Sequence, residues 1–394
     1  MNIDLSRIDK LSKYLKFSLG TLIVIGVIMV YSASYMYAKE KFGNSGYFFL
    51  RQLLFVVVSL GIAFVVSRTK YKFWLKFALH VNYAACFLLT LTFVPGFKTI
   101  VKGANRWLRF GGFTLQPGEF VKYTIILVSI VFFEKFQEFD RNKRLNYGFC
   151  MGLPFLLLIL QPDFGTFSIC FFGMSFVCFL SSFPRRYFYS AFVVGLIMGG
   201  AVLVSAPYRV KRLMAFLNPW ENAQGSGFQI IQSWIGFANG GFFGTGPGNS
   251  IEKLFYLPEA HNDFIFSVIG EEFGFIGVFA MVTLFLSIVF FGFSLAMKVK
   301  LREGSLMMAA VIFVIGIQCA LNMGVVLGLL PTKGLNLPFI SYGGSSLMSN
   351  LFGIGLFFAV LRSYREQGSS TTFSRGSSPQ GTVSPSFQNL RNQA

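Results

Sequence analysis

Charged residues are scarce in this sequence. Asp, Glu, Lys and Arg make up 13% of the 394 residues, about half the share that is typical of a soluble globular protein. Apolar runs of about 20 residues, long enough to cross a hydrocarbon layer about 30 Å thick, recur along the chain. The scarcity of charge excludes an ordinary soluble fold. It indicates a polytopic membrane protein with helical spans, because backbone groups in lipid must be satisfied within the segment.

Acidic residues and cysteines are also few. The 16 Asp and Glu stand against 34 Lys and Arg, for a net charge of +18. No nucleic-acid-binding motif accompanies this charge, so nucleic acid is not expected as a partner. The basic residues are better explained by the positive charge that cytoplasmic loops of membrane proteins collect. The five cysteines lie in apolar stretches without a CxxC pair, and predict neither a metal site nor a disulfide framework.

The apolar runs predict an all-α integral membrane protein with about ten transmembrane helices. Their approximate ranges are 17–37, 47–67, 74–94, 119–136, 146–161, 165–182, 187–206, 264–297, 306–330 and 338–361. The first run follows a basic segment but is too long for the apolar region of a cleaved signal peptide. It is therefore predicted to remain as the first span.

A cytoplasmic N-terminus places the short basic loops inside, as the positive-inside rule requires. The chain then divides into a cytoplasmic N-terminus (1–16), a membrane domain (17–363) and a cytoplasmic tail (364–394) whose Ser-, Gly- and Pro-rich composition predicts disorder. Two long basic loops face outside, at about 95–118 and at 207–262, the larger lying between the seventh and eighth helices. The rule does not account for their charge, because it is weak for long loops.

The first outer loop contains a predicted hairpin, RWLRF-GG-FTLQ, with the glycines at 111–112 as a two-residue turn. Glu119 suits the positive N-terminal end of the next helix, and Lys122 lies on the same face. Arg106 and Arg109 fit two interpretations equally well, as anchors at the membrane surface or as phosphate ligands.

An isolated acid, Asp163 in LILQPDFGTF, lies between two apolar helices, where an ionisable side chain is costly and indicates a function. The alternative is a structural ion pair, for which Lys122 is the expected partner. Both residues would lie near the outer end of adjacent helices, and we favour a pair that braces the site over one that reacts.

Carboxylates concentrate in the stretch LPEAHNDFIFSVIGEEFGFIG. A helix starting near Pro258 would stack Glu259 and Asp263, which are four residues apart. Asp263 lies at the predicted water–lipid boundary, where a carboxylate near cationic loops is suited to accepting a proton from a hydroxyl. Acids also favour helix N-termini for electrostatic reasons alone. Two turns further on, Glu271 and Glu272 are predicted to make internal polar contacts of the bundle.

Irregular backbone is predicted before the last span, because Pro331, Gly334 and Pro338 prevent a regular helix. Non-helical backbone at membrane depth is tolerated where it lines a cavity or is buried in protein. The small polar residues that follow, including Ser341 and Ser345, are therefore predicted to line a cavity.

Six motifs, in this order, resemble the SEDS family of peptidoglycan polymerases, which includes FtsW, RodA and SpoVE. They are GANRWLRFGGFTLQPGEFVK, QPDFGT, YRVKRLMAFLNPW, GFQIIQS, LPEAHNDFIFSVIGEEFGFIG and PTKGLNLPFISYGGSS. Stretches such as NPWENAQGSGFQIIQS look closer to the FtsW branch. Gly118 stands where the family usually has Ser, and Asn262 where it usually has Thr or Ser, which puts only local hydrogen bonding in question.

The resemblance implies a ten-helix, GT-C-like fold and a glycosyltransferase of the bacterial inner membrane. It would polymerise lipid II, an undecaprenyl-pyrophosphate-linked disaccharide peptide, into β-1,4-linked glycan strands on the outer face during septal wall synthesis. A class B penicillin-binding protein of the FtsI type is the implied cross-linking partner, together with other membrane proteins of the divisome.

The family's essential acid maps onto Asp263, expected to act as general base in an inverting displacement. Glu119, Lys122, Asp163 and Glu259 are expected to support it. The candidate ligands of the leaving pyrophosphate are Arg106, Arg109, Arg209, Arg212 and Lys333. A divalent cation, Mg²⁺ or Mn²⁺, is an alternative source of positive charge there. The expected lining of the substrate cavity is His261, Gln229, Ser341, Tyr342 and Ser345.

Two other functions compete with polymerisation. A lipid II flippase or transporter would also have ten helices, intramembrane charges and a broken helix, although the chemical motifs are not duplicated between the two halves of the chain. A non-catalytic scaffold that activates the penicillin-binding protein is the third hypothesis.

Overall fold

The computed structural model describes residues 5–96, 98–101, 104–110, 113–204, 207–225, 227–253, 257–258, 260–331 and 334–376. Its helices are α1 (Leu5–Phe42), α2 (Tyr47–Arg68), α3 (Tyr71–Lys76), α4 (Ala78–Leu91), α5 (Gly118–Glu134), α6 (Arg141–Leu160), α7 (Phe164–Leu180), α8 (Arg185–Val204), α9 (Pro207–Leu217), α10 (Phe228–Gly240), α11 (Ile265–Lys298), α12 (Arg302–Val326) and α13 (Gly344–Gly376). The strands are β1 (Lys98–Val101), β2 (Ala104–Phe110) and β3 (Phe113–Leu115), and a 3₁₀ turn covers Pro219–Asn222.

The helical, multi-pass character predicted from the sequence is confirmed. Within the described residues, six helices are long and apolar enough to cross a membrane, namely α1, α2, α6, α11, α12 and α13, while α4 and α7 are shorter apolar helices. Each predicted span overlaps a helix, but the run at 74–94 is divided into α3 and α4 by the non-helical backbone of Phe77. The count of ten spans and the domain boundaries stay predictions.

The first and last helices extend furthest beyond the spans predicted for them. The first, α1, begins at Leu5, within the segment assigned to the cytoplasmic N-terminus. The last, α13, continues to Gly376, beyond the predicted start of the tail at 364, and residues 377–394 lie outside the described part of the chain. Both extensions carry polar residues. A helix end in water tolerates such residues, but a search for apolar runs does not detect them as part of a helix.

Helix α5 occupies the centre of the bundle. It contacts α4, α6, α7, α12 and α13, and nearly every one of its side chains is buried, from Gly118 to Phe133. A helix that is surrounded by protein on all sides needs no polar face. The charged residues that α5 does carry must therefore find partners inside the bundle.

The connections between helices alternate between two ends of the bundle. At one end, called here the basic end, Arg302 at the start of α12 donates to the carboxylate of Glu134 and to the carbonyl of Leu180, and Arg362 donates to the carbonyl of Arg68. The opposite end, called the sheet end, carries β1, β2 and β3 between α4 and α5. This alternation is the one that the sequence predicts.

The predicted hairpin is confirmed as part of a larger sheet. Strands β2 and β3 pair antiparallel with Phe110 opposite Phe113, which leaves a two-residue connection, although residues 111–112 themselves lie outside the described part. Strand β1 pairs antiparallel with β2 and was not predicted. Its sequence, Lys98–Val101, is too short for an alternating pattern to be recognised.

Helix α11 is kinked at Gly274, whose backbone has φ 61° and ψ −158°. The loop after α10 enters the kink: the amide of Thr245 donates to the carbonyl of Glu271 at 2.9 Å, and the amide of Phe275 donates to the carbonyl of Gly241 at 2.9 Å. The loop therefore replaces the helical hydrogen bonds that the kink breaks. A Cβ at Gly274 would lie 2.4 Å from the amide nitrogen of Gly244, so only glycine fits.

We expect Gly274→Ala to lower the free energy of unfolding by at least about 3 kcal/mol, because it forces an alanine into a glycine-only conformation and against the loop backbone. The apparent Tm of the purified protein in detergent measures the effect. Gly20→Ala is the matched control, since no atom lies within 4 Å of its Cβ position and alanine favours an exposed helix. Equal Tm values for the two variants would contradict the packing described for the kink.

Candidate active site

Asp263 lies at the sheet end, half-buried in the turn that precedes α11. The helix begins only at Ile265, after Phe264, so the prediction of a helix that starts near Pro258 is wrong. The carbonyl of Asp263 accepts a hydrogen bond from Nδ2 of Asn322 on α12 at 2.8 Å. This contact with a distant helix holds the turn, and local propensity does not predict it. Glu259, expected to stack on Asp263, lies outside the described residues.

A non-helical segment, residues 334–343, packs against Asp263 and confirms the predicted irregular backbone before the last span. A Cβ at Gly334 would lie 2.9 Å from Oδ2 of Asp263, so the segment's backbone passes directly beside the carboxylate. Nδ2 of Asn322 also donates to the carbonyl of Leu335 at 2.5 Å. One amide of α12 therefore joins the two segments that form the site.

His261 is buried among aromatic rings. Its imidazole lies 4.7 Å from the ring of Phe48, 5.6 Å from that of Tyr37 and 5.9 Å from that of Tyr342, between centroids. Its carbonyl accepts from the amide of Tyr342 at 3.0 Å.

Arg51, on α2, hydrogen-bonds the side chain of Tyr342. Sequence reasoning missed Arg51, because a cation beside Tyr47 at a helix start is typical of an interface anchor.

The other residues predicted to line the cavity hold backbone in place. Oγ of Ser341 accepts from the amide of Leu337 at 2.8 Å, and Oγ of Ser345 accepts from the amide of Gln116 at 2.9 Å. Nε2 of Gln229 donates to the carbonyl of Pro258 at 3.4 Å. All three lie at the sheet end, but their described contacts stabilise loops.

Lys122 is fully enclosed at the centre of the bundle, with 1% of its side chain exposed. Its ammonium lies 2.7 Å from Oε2 of Glu119, 2.6 Å from Oε1 of Gln318 on α12 and 3.1 Å from Oδ1 of Asn350 on α13. An ammonium has three protons to donate, and all three find acceptors here. Glu119 is 7% exposed, so both charges of the pair are buried. Because the two charges are opposite, the pair adds no net charge to the core.

The ion pair predicted between Lys122 and Asp163 is not formed. Asp163 caps the start of α7 instead: its Oδ1 accepts from the amide of Thr166 at 3.3 Å, and its Oδ2 accepts from Oγ1 of Thr166 at 2.9 Å. Nε2 of Gln116 donates to the same Oδ2 at 3.3 Å. Glu119 is one turn from Lys122 on the same helix face and therefore reaches the ammonium first.

Of the five basic residues predicted to bind pyrophosphate, two have described side chains. Arg106 donates through its guanidinium to the carbonyls of Gln161 and Pro162, where α6 ends, so its described contacts are structural. Arg109, on β2, is exposed to solvent. The side chains of Arg209 and Arg212, and all of Lys333, lie outside the described residues.

The predicted divalent cation has no cluster of ligands in the described part of the chain. There, His, Cys, Asp and Glu side chains form no group of three or more that could hold a metal ion. The divalent cation therefore stays a prediction.

Glu271 and Glu272 make internal contacts of the bundle, as predicted. Glu272 accepts from Nζ of Lys253 at 2.7 Å and from Oγ of Ser32 on α1 at 2.6 Å. Glu271 accepts from Oγ of Ser250 and from the amide of Ile251, the latter at 2.9 Å. The two acids therefore fasten the loop before Asp263 to α1 and α11.

Glu252, in the same loop, is 3% exposed. Burial, and to a lesser extent the nearby charge of Glu271, raise the pKa of Glu252 from 4.5 to about 7. When the amide of Gln232 is oriented with its nitrogen toward the carboxylate, it donates to the two oxygens of Glu252 at 2.9 and 3.1 Å.

Several residues of the polar networks were missed by sequence reasoning. Gln318 and Asn350 are polar residues inside apolar runs, and intramembrane polar residues commonly make interhelical hydrogen bonds. That signal was available in the sequence. Lys253, by contrast, resembles an ordinary loop lysine, and only the fold shows that it is buried.

Together these features define a class of protein: a polytopic helical membrane protein with a half-buried carboxylate at one end, held between helix termini and supported by buried ion pairs. The chain belongs to the FtsW/RodA/SpoVE family. The family model, described as cell cycle protein, matches residues 13–366.

Curated relatives and solved structures agree with this assignment. The chain is 39% identical to the "Probable peptidoglycan glycosyltransferase FtsW" of Geobacter metallireducens, over 91% of this chain and 96% of that protein. It is 38% identical to the "Stage V sporulation protein E" of Bacillus subtilis, over 86% of this chain and 94% of that protein. Its fold matches, with TM-score 0.70 and 29% identity, a chain from "Structural coordination of polymerization and crosslinking by a peptidoglycan synthase complex", covering 89% of this chain and 97% of the other.

A double-mutant cycle tests the partner of Lys122. We expect Lys122→Met to lower the free energy of unfolding by about 3 kcal/mol or more, because it leaves Glu119 buried without a counter-charge. The combination with Glu119→Gln should recover at least about 1 kcal/mol relative to additivity. Asp163→Asn is the comparison, and its coupling with Lys122→Met should be smaller. The measurement is unfolding in mixed detergent micelles, and a stronger coupling to Asp163 would contradict the pairing.

The buried carboxyl of Glu252 makes stability depend on pH. Its pKa is raised in the folded protein, so the neutral form is favoured, and the associated stability is complete below about pH 4.5 and lost as the pH rises to about 7. We expect Glu252→Gln, which mimics the neutral form, to raise the Tm at pH 8 more than at pH 5. Glu221→Gln, at an exposed carboxylate of the 3₁₀ turn, is the control, and a Glu252→Gln gain that is the same at both pH values would rule out the effect.

Proposed function

We propose that this protein is a peptidoglycan glycosyltransferase that polymerises lipid II, with Asp263 as its general base. The observation that carries the proposal is the position of Asp263: a half-buried carboxylate in a turn at the sheet end, with the backbone of residues 334–343 beside it. The name of the Geobacter relative and the family membership support the activity.

The reaction needs one base at the acceptor sugar. Asp263 accepts the proton of the acceptor's 4-hydroxyl, the oxygen attacks the anomeric carbon of the donor chain, and polyprenyl pyrophosphate leaves. An α-linked donor that yields a β-1,4 bond is inverted at that carbon, so a single displacement suffices.

The leaving pyrophosphate needs positive charge on the same side of the membrane. Exposed Arg109 on β2 is the candidate with a described side chain, and Arg209, Arg212 and Lys333 complete the proposed set. Cationic donors placed where charge develops lower the barrier without reorganising during the reaction. The polyprenyl tail would lie along the apolar surface between helices.

The names of the relatives support a biological setting for this activity. We propose that the protein lies in the inner membrane, with both termini cytoplasmic and the sheet end outside, and that it acts in septal wall synthesis during division. The structural relative belongs to a complex that couples polymerisation to crosslinking. We therefore propose a class B penicillin-binding protein as partner, with other divisome proteins around it.

Replacement of the base is the direct test. We expect Asp263→Asn to reduce the rate of glycan-strand formation by a factor of about 10² to 10⁴, since the amide has nearly the same shape but cannot accept the proton. The assay follows labelled lipid II with the purified protein in detergent, with its penicillin-binding protein added. Glu40→Gln, at an exposed carboxylate near the end of α1, should keep the wild-type rate.

The same assay separates the competing functions. A polymerase forms strands in detergent, whereas a flippase needs two compartments and a scaffold forms no strands by itself. If Asp263→Asn polymerised at the wild-type rate, the assignment of the base would be wrong even though the family assignment would stand.

A further inference from the structure

A pocket opens at the basic end, remote from Asp263. It has a volume of about 490 Å³, and its lining includes Lys72 and Lys76 of α3, Lys135 after α5, Tyr147 of α6 and Glu303 of α12. The pocket and the Glu119–Lys122 pair lie at opposite ends of α5, which are about 24 Å apart at 1.5 Å per residue. The pocket is thus a separate site, which polymerisation as described above does not use.

The pocket carries an excess of positive charge. Its three lysines face one carboxylate, that of Glu303, whose Oε1 lies 3.6 Å from Nζ of Lys135. Lys72 and Lys76 are exposed and have no carboxylate within 4 Å among the described residues. Tyr147 adds a hydroxyl donor, because a phenol stays protonated near neutral pH. Cationic donors that converge on one cavity suit a phosphate group.

The surroundings of the pocket indicate that the phosphate belongs to a lipid. Its walls include the apolar side chains of Leu75, Val131 and Phe139. Helices that line the pocket also carry exposed apolar residues: Phe73 of α3 is 50% exposed, and Leu145 of α6 is 62% exposed. A headgroup held by the lysines would therefore leave its acyl chains against apolar surface. Basic pockets between helix ends on the cytoplasmic side favour such lipids.

We propose that this pocket binds the headgroup of an anionic phospholipid of the cytoplasmic leaflet. Lys72 and Lys76 supply the main charge for the phosphate, Tyr147 donates a hydrogen bond, and the ion pair of Lys135 with Glu303 forms the wall of the pocket toward α5 and α12. The bound lipid would bridge α3, α6 and α12, each of which contributes residues to the lining of the pocket.

The test is a binding titration with the purified full-length protein in detergent. The probe is short-chain fluorescent phosphatidylglycerol, and the variant is Lys72→Gln/Lys76→Gln. At about fivefold per lysine, we expect the Kd to rise about 25-fold. Lys10→Gln/Lys13→Gln is the matched control, because it removes the same charge from exposed positions of α1 at the same end, and its Kd should stay within about twofold of the wild type.

Competitors identify the ligand. Unlabelled phosphatidylglycerol should displace the probe, whereas phosphatidylcholine and inorganic phosphate at equal concentration should not. Displacement by inorganic phosphate would overturn the lipid assignment in favour of a soluble phosphate ligand. An unchanged Kd in Lys72→Gln/Lys76→Gln, or an equal loss in the control variant, would overturn the site itself.

Discussion

The ammonium of Lys122 is the constraint on which the centre of this bundle depends. A charge at that depth is stable only if it is paired and all its protons are bonded. Glu119 supplies the counter-charge from the same helix, while Gln318 and Asn350 supply acceptors from α12 and α13. The hydroxyl of Tyr123 donates to the same Oδ1 of Asn350 at 2.7 Å. Contacts with a single charged group therefore fix the relative rotation and axial position of α5, α12 and α13.

The same polar face of α12 continues from the core to the site. Nε2 of Gln318 donates to the carbonyl of Asn336 at 2.9 Å, and one turn further along, Asn322 bonds the carbonyls of Asp263 and Leu335. The turn that carries Asp263 and the irregular segment beside it are thus anchored to the helix that binds Lys122. A precise position for a catalytic carboxylate requires such support, because small displacements of the reacting atoms are costly.

A second buried pair plays a comparable part for the loop that precedes Asp263. Lys253 and Glu272 are each 1% exposed in their side chains, and Ser32 of α1 bonds the carboxylate. The kink at Gly274 lets the loop after α10 enter α11 just beyond this pair. In both places, polar contacts between distant segments fix the relative positions of the segments. Apolar packing alone would not do so, since apolar side chains lack directional contacts.

The sequence by itself determined the helical membrane class, the alternation of helix ends, the hairpin, the irregular segment before α13 and the internal role of Glu271 and Glu272. These features follow from hydropathy, turn chemistry and the cost of burying charge, which are local properties. Tertiary structure alone decided that Lys122 also bonds Gln318 and Asn350, that Arg106 binds carbonyls, and that α11 starts at Ile265. Those outcomes depend on which groups from distant helices arrive within hydrogen-bonding distance, and no local pattern contains that information.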